Sequence, residues 1–131
     1  MIPCYTWEVT ILNIIVYDDN KRRRSRMAKV IRETEPDASV DAFETTNSAL
    51  EFASHTYPKV AFISIENKDG RGYFLVKELK RMSPRTNVIV VARQYCFMQE
   101  LMNLRVSGYV TGELTKDIVA DELANLRYEC S

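Results

Sequence analysis

The stretch Ile11-Leu12-Asn13-Ile14-Ile15-Val16-Tyr17 is a short, nearly continuous apolar run that is rich in β-branched residues. Two further runs of the same kind occupy residues 60–65 and 88–92. A strand with one wet face alternates apolar and polar residues, whereas a strand covered on both faces is apolar almost throughout. The three runs therefore predict the central strands of a parallel sheet that helices cover on both sides.

Helical patterns lie between these runs. Weaker strand candidates occupy residues 38–43 and 108–111. Thr115 is placed to cap the last helix, and Pro84 stops the third one. Strands that alternate with helices imply right-handed crossovers and a parallel sheet, so the fold class is α/β, a three-layer α/β/α sandwich. The predicted helices cover residues 21–34, 45–54, 72–82, 94–105 and 115–127.

Composition limits the classes of protein to which the chain can belong. The 131 residues are 46% hydrophobic and 27% charged, with a formal net charge of zero. Such a chain can bury a real core, and we predict one domain over residues 1–131 with a core at about residues 10–128. The neutral balance favours neither nucleic acid nor a membrane surface as a direct partner. No apolar run is long enough to span a bilayer, and we find no signal peptide.

The cysteines and the histidine predict no metal cage. Cys4, Cys96 and Cys130 are odd in number and share no CxxC spacing, which argues against a disulfide framework. His55, the single histidine, cannot form a zinc site alone. A reducing, cytoplasmic location is the prediction that follows.

Two acidic residues, Asp18 and Asp19, directly follow the first predicted strand. In open α/β sheets the functional site lies beyond the carboxyl ends of the strands, and paired carboxylates there can hold a magnesium ion. The alternative is that Asp19 or Asn20 only caps the next helix.

The segment Lys21-Arg22-Arg23-Arg24-Ser25-Arg26 is a local basic run at the start of the first predicted helix. Basic residues in a first turn oppose the helix dipole, so they do not serve helix stability. The run can form a solvated face or meet an acidic partner. A third possibility is that it faces Asp18 and Asp19 and neutralises them.

The last third of the chain carries a family resemblance. Its sequence reads Val106-Ser107-Gly108-Tyr109-Val110-Thr111, then Leu114-Thr115-Lys116-Asp117-Ile118, then Glu122-Leu123-Ala124-Asn125-Leu126-Arg127-Tyr128. Together with the first strand and its acidic pair, it resembles the receiver domain of bacterial two-component response regulators, over about residues 11–128. The resemblance implies a flavodoxin-like, CheY-like sheet of five parallel strands in the order 2-1-3-4-5.

The resemblance also implies where a phosphorylation site would lie. Receivers use an acidic pair, an acceptor aspartate, a hydroxyl residue after the fourth strand and a lysine after the fifth. In this sequence Ser64 falls at the acceptor position, Ala92 at the hydroxyl position and Gly112 at the lysine position. The acidic pair matches, and so does the aromatic switch residue, Tyr109. Glu113 stands where receivers have proline.

These departures predict a pseudo-receiver with no catalytic residues, and therefore not an enzyme. A serine hydroxyl is a weak nucleophile without a neighbouring base. The exchange at Ser64 also removes a carboxylate, so a magnesium site formed by Asp18, Asp19 and Glu66 is expected to be weak or lost, and no cofactor is expected. Gly112 removes the cation that would balance a phosphoryl group.

The function expected from the resemblance is signal transduction by protein–protein contact or homodimerisation. The resemblance is also consistent with the N-terminal regulatory part of a transcriptional regulator. The face formed by the fourth helix, fifth strand and fifth helix is a common partner surface in receivers. Here its candidate residues are Tyr95, Met98, Met102, Arg105 and Tyr109.

Two other functions stay open at the level of sequence. In the first, Asp69 or Glu66 acts as a displaced phosphoryl acceptor, and Arg93 replaces the missing lysine. In the second, the side chains lost from the phosphorylation site leave a pocket that senses a small ligand. No glycine-rich phosphate loop supports a nucleotide in that pocket.

Overall fold

The structure, a computed structural model, describes residues 11–66 and 69–129. Within them, five parallel strands form one sheet in the order β2-β1-β3-β4-β5. This confirms the expected flavodoxin-like architecture. Cys4 and Cys130 lie outside the described residues. The strands are β1 (Asn13–Tyr17), β2 (Ser39–Phe43), β3 (Val60–Ser64), β4 (Asn87–Ala92) and β5 (Gly108–Thr111).

Helices follow the strands and cover both faces of the sheet. On one face α1 and α5 pack against the sheet, and on the other face lie α2, α3 and α4. None of the helices in residues 11–66 and 69–129 is both long and apolar enough to cross a membrane. The helices are α1 (Lys21–Thr34), α2 (Thr46–Thr56), α3 (Arg71–Met82), α4 (Met98–Asn103) and α5 (Lys116–Ala124).

The core consists of two apolar layers, one on each face of the sheet. In β1, Ile14 and Val16 point toward α1 and α5, whereas Ile15 and Tyr17 point toward the other three helices. Every residue of β3 and β4 is buried. The continuous apolar runs in the sequence therefore have the predicted cause, which is that these strands have no wet face.

Side-chain caps fix where helices begin at the carboxyl edge of the sheet. The Asn20 side chain accepts a hydrogen bond from the Arg23 backbone N–H and caps α1. Thr115 caps α5 in the same way, as predicted, through the Ile118 N–H. The cap at Asn20 sets the direction of the first turn of α1, and this turn adjoins the acidic pair.

The predicted helix over residues 94–105 is wrong at its start, because α4 begins only at Met98. Phe97 has a φ of 55°, a left-handed conformation that a helix cannot include. The Tyr109 hydroxyl binds backbone groups of Gln94 and Cys96, and these bonds hold residues 94–97 as a loop. The apolar spacing of the segment could not reveal this contact with β5.

The predicted last helix, residues 115–127, is also too long, since α5 ends at Ala124. The buried Asn87 side chain accepts a bond from the Tyr128 N–H at 2.7 Å and donates one to the Tyr128 carbonyl at 2.9 Å. Asn87 also accepts a bond from the Ser107 hydroxyl at 2.7 Å. These bonds tie the segment after α5 to the amino-terminal edge of the sheet, and a continued helix would break them.

Candidate functional site

A cavity of about 250 Å³ lies at the carboxyl ends of the strands. Three of the positions that the sequence singled out, Asp18, Ser64 and Gly112, line it together. Ala92 lines a neighbouring depression instead, on the side of the sheet where α3 and α4 pack. Asp19 is not among the described residues that line the cavity. The lining that matters for its chemistry consists of Asp18, Arg23, Arg26, Ser64, Glu66, Arg93, Gly112 and Glu113.

The Asp18 carboxylate is fully buried and already has its partners. Arg23 donates to both of its oxygens, from Nε to Oδ2 at 2.9 Å and from Nη2 to Oδ1 at 3.1 Å. The Asn20 N–H donates to Oδ1 at 2.8 Å. The bond to Asp18 raises the pKa of the Arg23 guanidinium, which therefore stays charged. Paired guanidinium–carboxylate bonds of this kind are among the strong hydrogen bonds in proteins.

The three carboxylates of the magnesium site that was expected to be weak or lost each bind an arginine. Asp18 is held as described, Asp19 accepts a bond from Arg71 at 3.1 Å, and Glu66 pairs with Arg93 at 3.1 Å. Within residues 11–66 and 69–129 no group of three or more acidic, histidine or cysteine side chains is arranged to hold a metal ion. A magnesium ion needs several oxygen ligands converging on one point. The residues present therefore do not fit the ion that receivers use.

Ser64 lies at the end of β3 and is 1% exposed. The described residues that line the cavity include no histidine and no lysine to activate its hydroxyl, and the carboxylates of the lining are paired with arginines. Gly112 has a φ of 98°, and a Cβ built there would meet no atom within 4 Å. A lysine at this position would have space but would adopt a strained backbone.

The remaining charges of the cavity are also paired. Arg26 binds Glu113 at 3.2 Å, so the extra carboxylate at the usual proline position is balanced by a residue of α1. Arg93 is engaged with Glu66 and is not a free substitute for the missing lysine. Asp69, the other candidate acceptor, forms an ion pair with Arg71 at 2.6 Å.

The sequence predicted the role of Arg23 only in part. Neutralisation of the acidic pair was one of three possibilities for the basic run of residues 21–26, and the ion pair between Arg23 and Asp18 favours it. Arg22 and Lys21 are exposed, and Arg24 donates to the Asp18 carbonyl oxygen at 2.9 Å. The geometry of the first turn of α1 decides which of these basic side chains reaches the Asp18 carboxylate, and this is Arg23.

The candidate partner surface has mixed exposure. Tyr95 is 67% exposed and Met102 is 63% exposed, while Met98 is half-buried. Tyr109 is partly buried, and its ring lies 5.3 Å from that of Tyr95. Its hydroxyl accepts a bond from the Cys96 N–H at 2.8 Å and lies 3.1 Å from the carbonyl oxygens of Gln94 and Cys96. Arg105 is exposed on the loop after α4.

Replacing Tyr109 by phenylalanine is expected to lower the free energy of unfolding by about 1–2 kcal/mol, because the Cys96 N–H loses its acceptor. Burial raises the pKa of Tyr109 to about 12, from 10.0. Between these values the folded state holds a proton that the unfolded state has released, so its stability contribution falls as the pH rises from 10 toward 12.

Urea denaturation across this pH range is the measurement, with Tyr57→Phe as the control because Tyr57 is 57% exposed. The Tyr109→Phe protein is expected to lose less stability between pH 10 and 12 than the wild type. Identical pH profiles for the two proteins would show that the buried hydroxyl has no such effect.

Comparison with known proteins relates the fold to one class. No protein-family model matches the sequence, and no curated protein matches it either. Among solved structures, the chain is similar to the chemotaxis protein CheY4 of Vibrio cholerae, with a TM-score of 0.77 and 14% identity over 88% of this chain and 98% of that one. The receiver domain of AraT, a response regulator from Geobacillus stearothermophilus, gives 0.73 and 21% over 88% and 92%.

A longer regulator is also similar. DrrB, an OmpR/PhoB homologue from Thermotoga maritima, gives a TM-score of 0.69 and 20% identity, over 86% of this chain and 50% of that one. Identities at this level relate folds, and a fold hosts many functions. The chain has the CheY-like fold of response-regulator receiver domains.

Proposed function

We propose that this chain is a receiver-like signalling domain that acts through contact with a protein partner and does not accept a phosphoryl group. The observation that carries the proposal is the ion pair between Arg23 and the buried Asp18. Arg23 places a fixed positive charge on the carboxylate that, by resemblance, would bind magnesium. A metal ion would have to displace two charge-assisted hydrogen bonds before it could bind.

The chemistry of phosphoryl transfer supports the same proposal. Transfer depends on positioning and on cations that stabilise the charge of the phosphoryl oxygens. Ser64 offers no carboxylate for attack, and Gly112 offers no cation. Glu113 brings an additional negative charge to the rim of the cavity, where Arg26 balances it. The exchanges at Ser64 and Gly112 each remove a group from the same reaction centre, so their effects on phosphoryl transfer combine.

Exposed apolar side chains support a role in protein contact. Tyr95 and Met102 are large and more than half exposed, and they lie on neighbouring segments around α4. Exposed aromatic and methionine side chains are enriched where proteins meet. We infer that this region, with Met98, Arg105 and Tyr109, contacts a partner or a second copy of the chain in the cytoplasm. The match to half of DrrB suggests a regulatory part of a larger regulator.

The two alternative functions are less well supported. A displaced acceptor at Glu66 or Asp69 would first have to leave an arginine. A small charged ligand in the cavity would compete with three existing ion pairs, which join Arg23 to Asp18, Arg26 to Glu113 and Arg93 to Glu66.

Intact-mass spectrometry after incubation with magnesium and acetyl phosphate tests the proposal. We expect no mass gain for this protein, because Asp18 and Glu66 bind arginines and residues 11–66 and 69–129 contain no cluster of side chains arranged to hold a metal ion. An ordinary receiver treated in the same tube serves as the positive control and should gain one phosphoryl group. A stoichiometric phosphoryl adduct on this chain would contradict the proposal, and Glu66→Gln and Asp69→Asn variants would locate it.

A further inference from the structure

A second cavity, of about 320 Å³, lies at the opposite edge of the sheet and is lined by basic side chains. It opens between the end of α3, the loop after α4 and the segment after α5. Tyr128 forms an aromatic part of its wall. The basic residues that line it are Lys77, Lys80, Arg81 and Arg105.

Lys80 supplies a buried positive charge to this cavity. Lys80 is only 8% exposed. Its Nζ donates to the carbonyl oxygens of Pro84 at 2.6 Å and Thr86 at 3.2 Å. The same nitrogen lies 4.6 Å from the centre of the Tyr128 ring. Its partners are thus neutral groups, and they leave its charge uncompensated.

The neighbouring cations add to this charge instead of cancelling it. Burial, and after it the nearby charges of Arg127 and Arg105, together lower the pKa of Lys80 to about 8. Among the described residues, Lys80, Arg105 and Arg127 form no ion pair, whereas Arg81 is bound to Glu78 at 2.8 Å. The cavity at the carboxyl edge differs, because there each arginine has a carboxylate.

The wall of the cavity is held in place before any ligand arrives. Asn87 binds both backbone groups of Tyr128, and the Tyr128 ring also contacts the Arg85 guanidinium, which lies 5.3 Å from its centre. A site whose groups are already ordered loses little conformational entropy on binding. Concave surfaces of one charge sign also concentrate ions of the opposite sign.

We propose that this cavity is a binding site for a multiply charged phosphate-class anion, either free diphosphate or the diphosphate of a nucleotide. Arg105 and Lys77 are exposed at the cavity and can donate to phosphate oxygens, and a guanidinium matches them with two parallel bonds. Lys80, whose Nζ donates to two carbonyl oxygens and lies over the Tyr128 ring, contributes its charge without a direct contact to the anion. The site is independent of the proposed lack of phosphorylation, since Asp18 lies at the other edge of the sheet.

Isothermal titration of the full chain with sodium pyrophosphate, at constant ionic strength, tests the proposal. Wild type should bind one equivalent. Arg105→Asn, which suits the φ of 60° at that position, and Lys77→Gln should each weaken binding about tenfold, the effect of losing one charge-assisted contact. Arg22→Gln, an exposed arginine of α1, is the matched control and should bind like the wild type.

Competing ligands make the result decisive. If ADP binds with an affinity near that of pyrophosphate, the diphosphate site is supported and a nucleotide is identified as a source. If pyrophosphate binds more tightly than ADP, the free anion is supported as the ligand. The absence of saturable binding, or equal weakening in Arg22→Gln and Arg105→Asn, would overturn the proposal. So would binding of single-stranded DNA without any binding of pyrophosphate.

Discussion

Replacing Arg23 by alanine is expected to lower the free energy of unfolding by about 3 kcal/mol, a typical cost of leaving a buried charge without its partner. Asp18 is fully buried, and the substitution removes the donors to both carboxylate oxygens. Of the three hydrogen bonds that the Asp18 carboxylate now accepts from Arg23 and Asn20, only the one from the Asn20 backbone N–H would remain. Equilibrium denaturation with urea, followed by circular dichroism, measures the change.

Two further variants separate the ion pair from general effects on α1. Arg22→Ala changes an exposed arginine of the same helical turn and should shift the stability by no more than about 0.5 kcal/mol. In the Arg23→Ala background, Asp18→Asn should recover part of the loss, because a buried neutral amide costs less than a buried carboxylate. A loss no greater than that of Arg22→Ala would contradict the account of Asp18 and its arginine.

Replacing Phe62 by alanine is expected to lower the free energy of unfolding by about 3–5 kcal/mol. Phe62 is the central residue of β3 and is fully buried in the layer between the sheet and helices α1 and α5. Removing its ring forfeits apolar burial and leaves a cavity that rigid neighbours such as Val16 and Ile89 cannot fill.

Phe74→Ala is the matched control, because Phe74 is the same residue type but 48% exposed on α3. Its effect should stay below about 1 kcal/mol, as for most surface substitutions. Urea midpoints with unchanged slopes would assign both effects to the native state. A Phe62→Ala protein as stable as Phe74→Ala would mean that the described packing of β3 is wrong.

The central sheet was predictable because its signal is local. Residues 60–65 and 88–92 are apolar at nearly every position, and burial on both faces is the physical cause of this pattern. The cap at Thr115 was predictable for the same reason, since a capping side chain acts within three residues of its target, whereas Asp19 and Asn20 stayed alternative caps for α1.

The limits of α4 and α5 were not predictable because they depend on distant residues. Tyr109 in β5 fixes the loop before α4, and Asn87 in β4 fixes the segment after α5. The apolar spacing of residues 94–105 continues through the loop and carries no sign of these bonds. Hydrogen bonds over such sequence separations require the fold to be known first.

The candidate site was predictable in three of its five positions and not in its pairings. The resemblance identified Asp18, Ser64 and Gly112, and the structure brings these three around one cavity. The order of the strands explains this, because the carboxyl ends of neighbouring parallel strands meet at one edge. Which arginine binds which carboxylate depends on rotamers and helix direction, and the basic run offered several candidates for Asp18.

Titration of the wild-type protein with magnesium chloride, monitored through the NMR resonance of the Arg23 Nε–H group, tests whether Arg23 keeps the metal ion from Asp18. If Arg23 occupies the acidic site, this resonance should not shift at magnesium concentrations that saturate an ordinary receiver, because the Nε–H stays bonded to Asp18. A saturable shift, with release of the Arg23 side chain, would show that the site still binds the metal and would contradict the account.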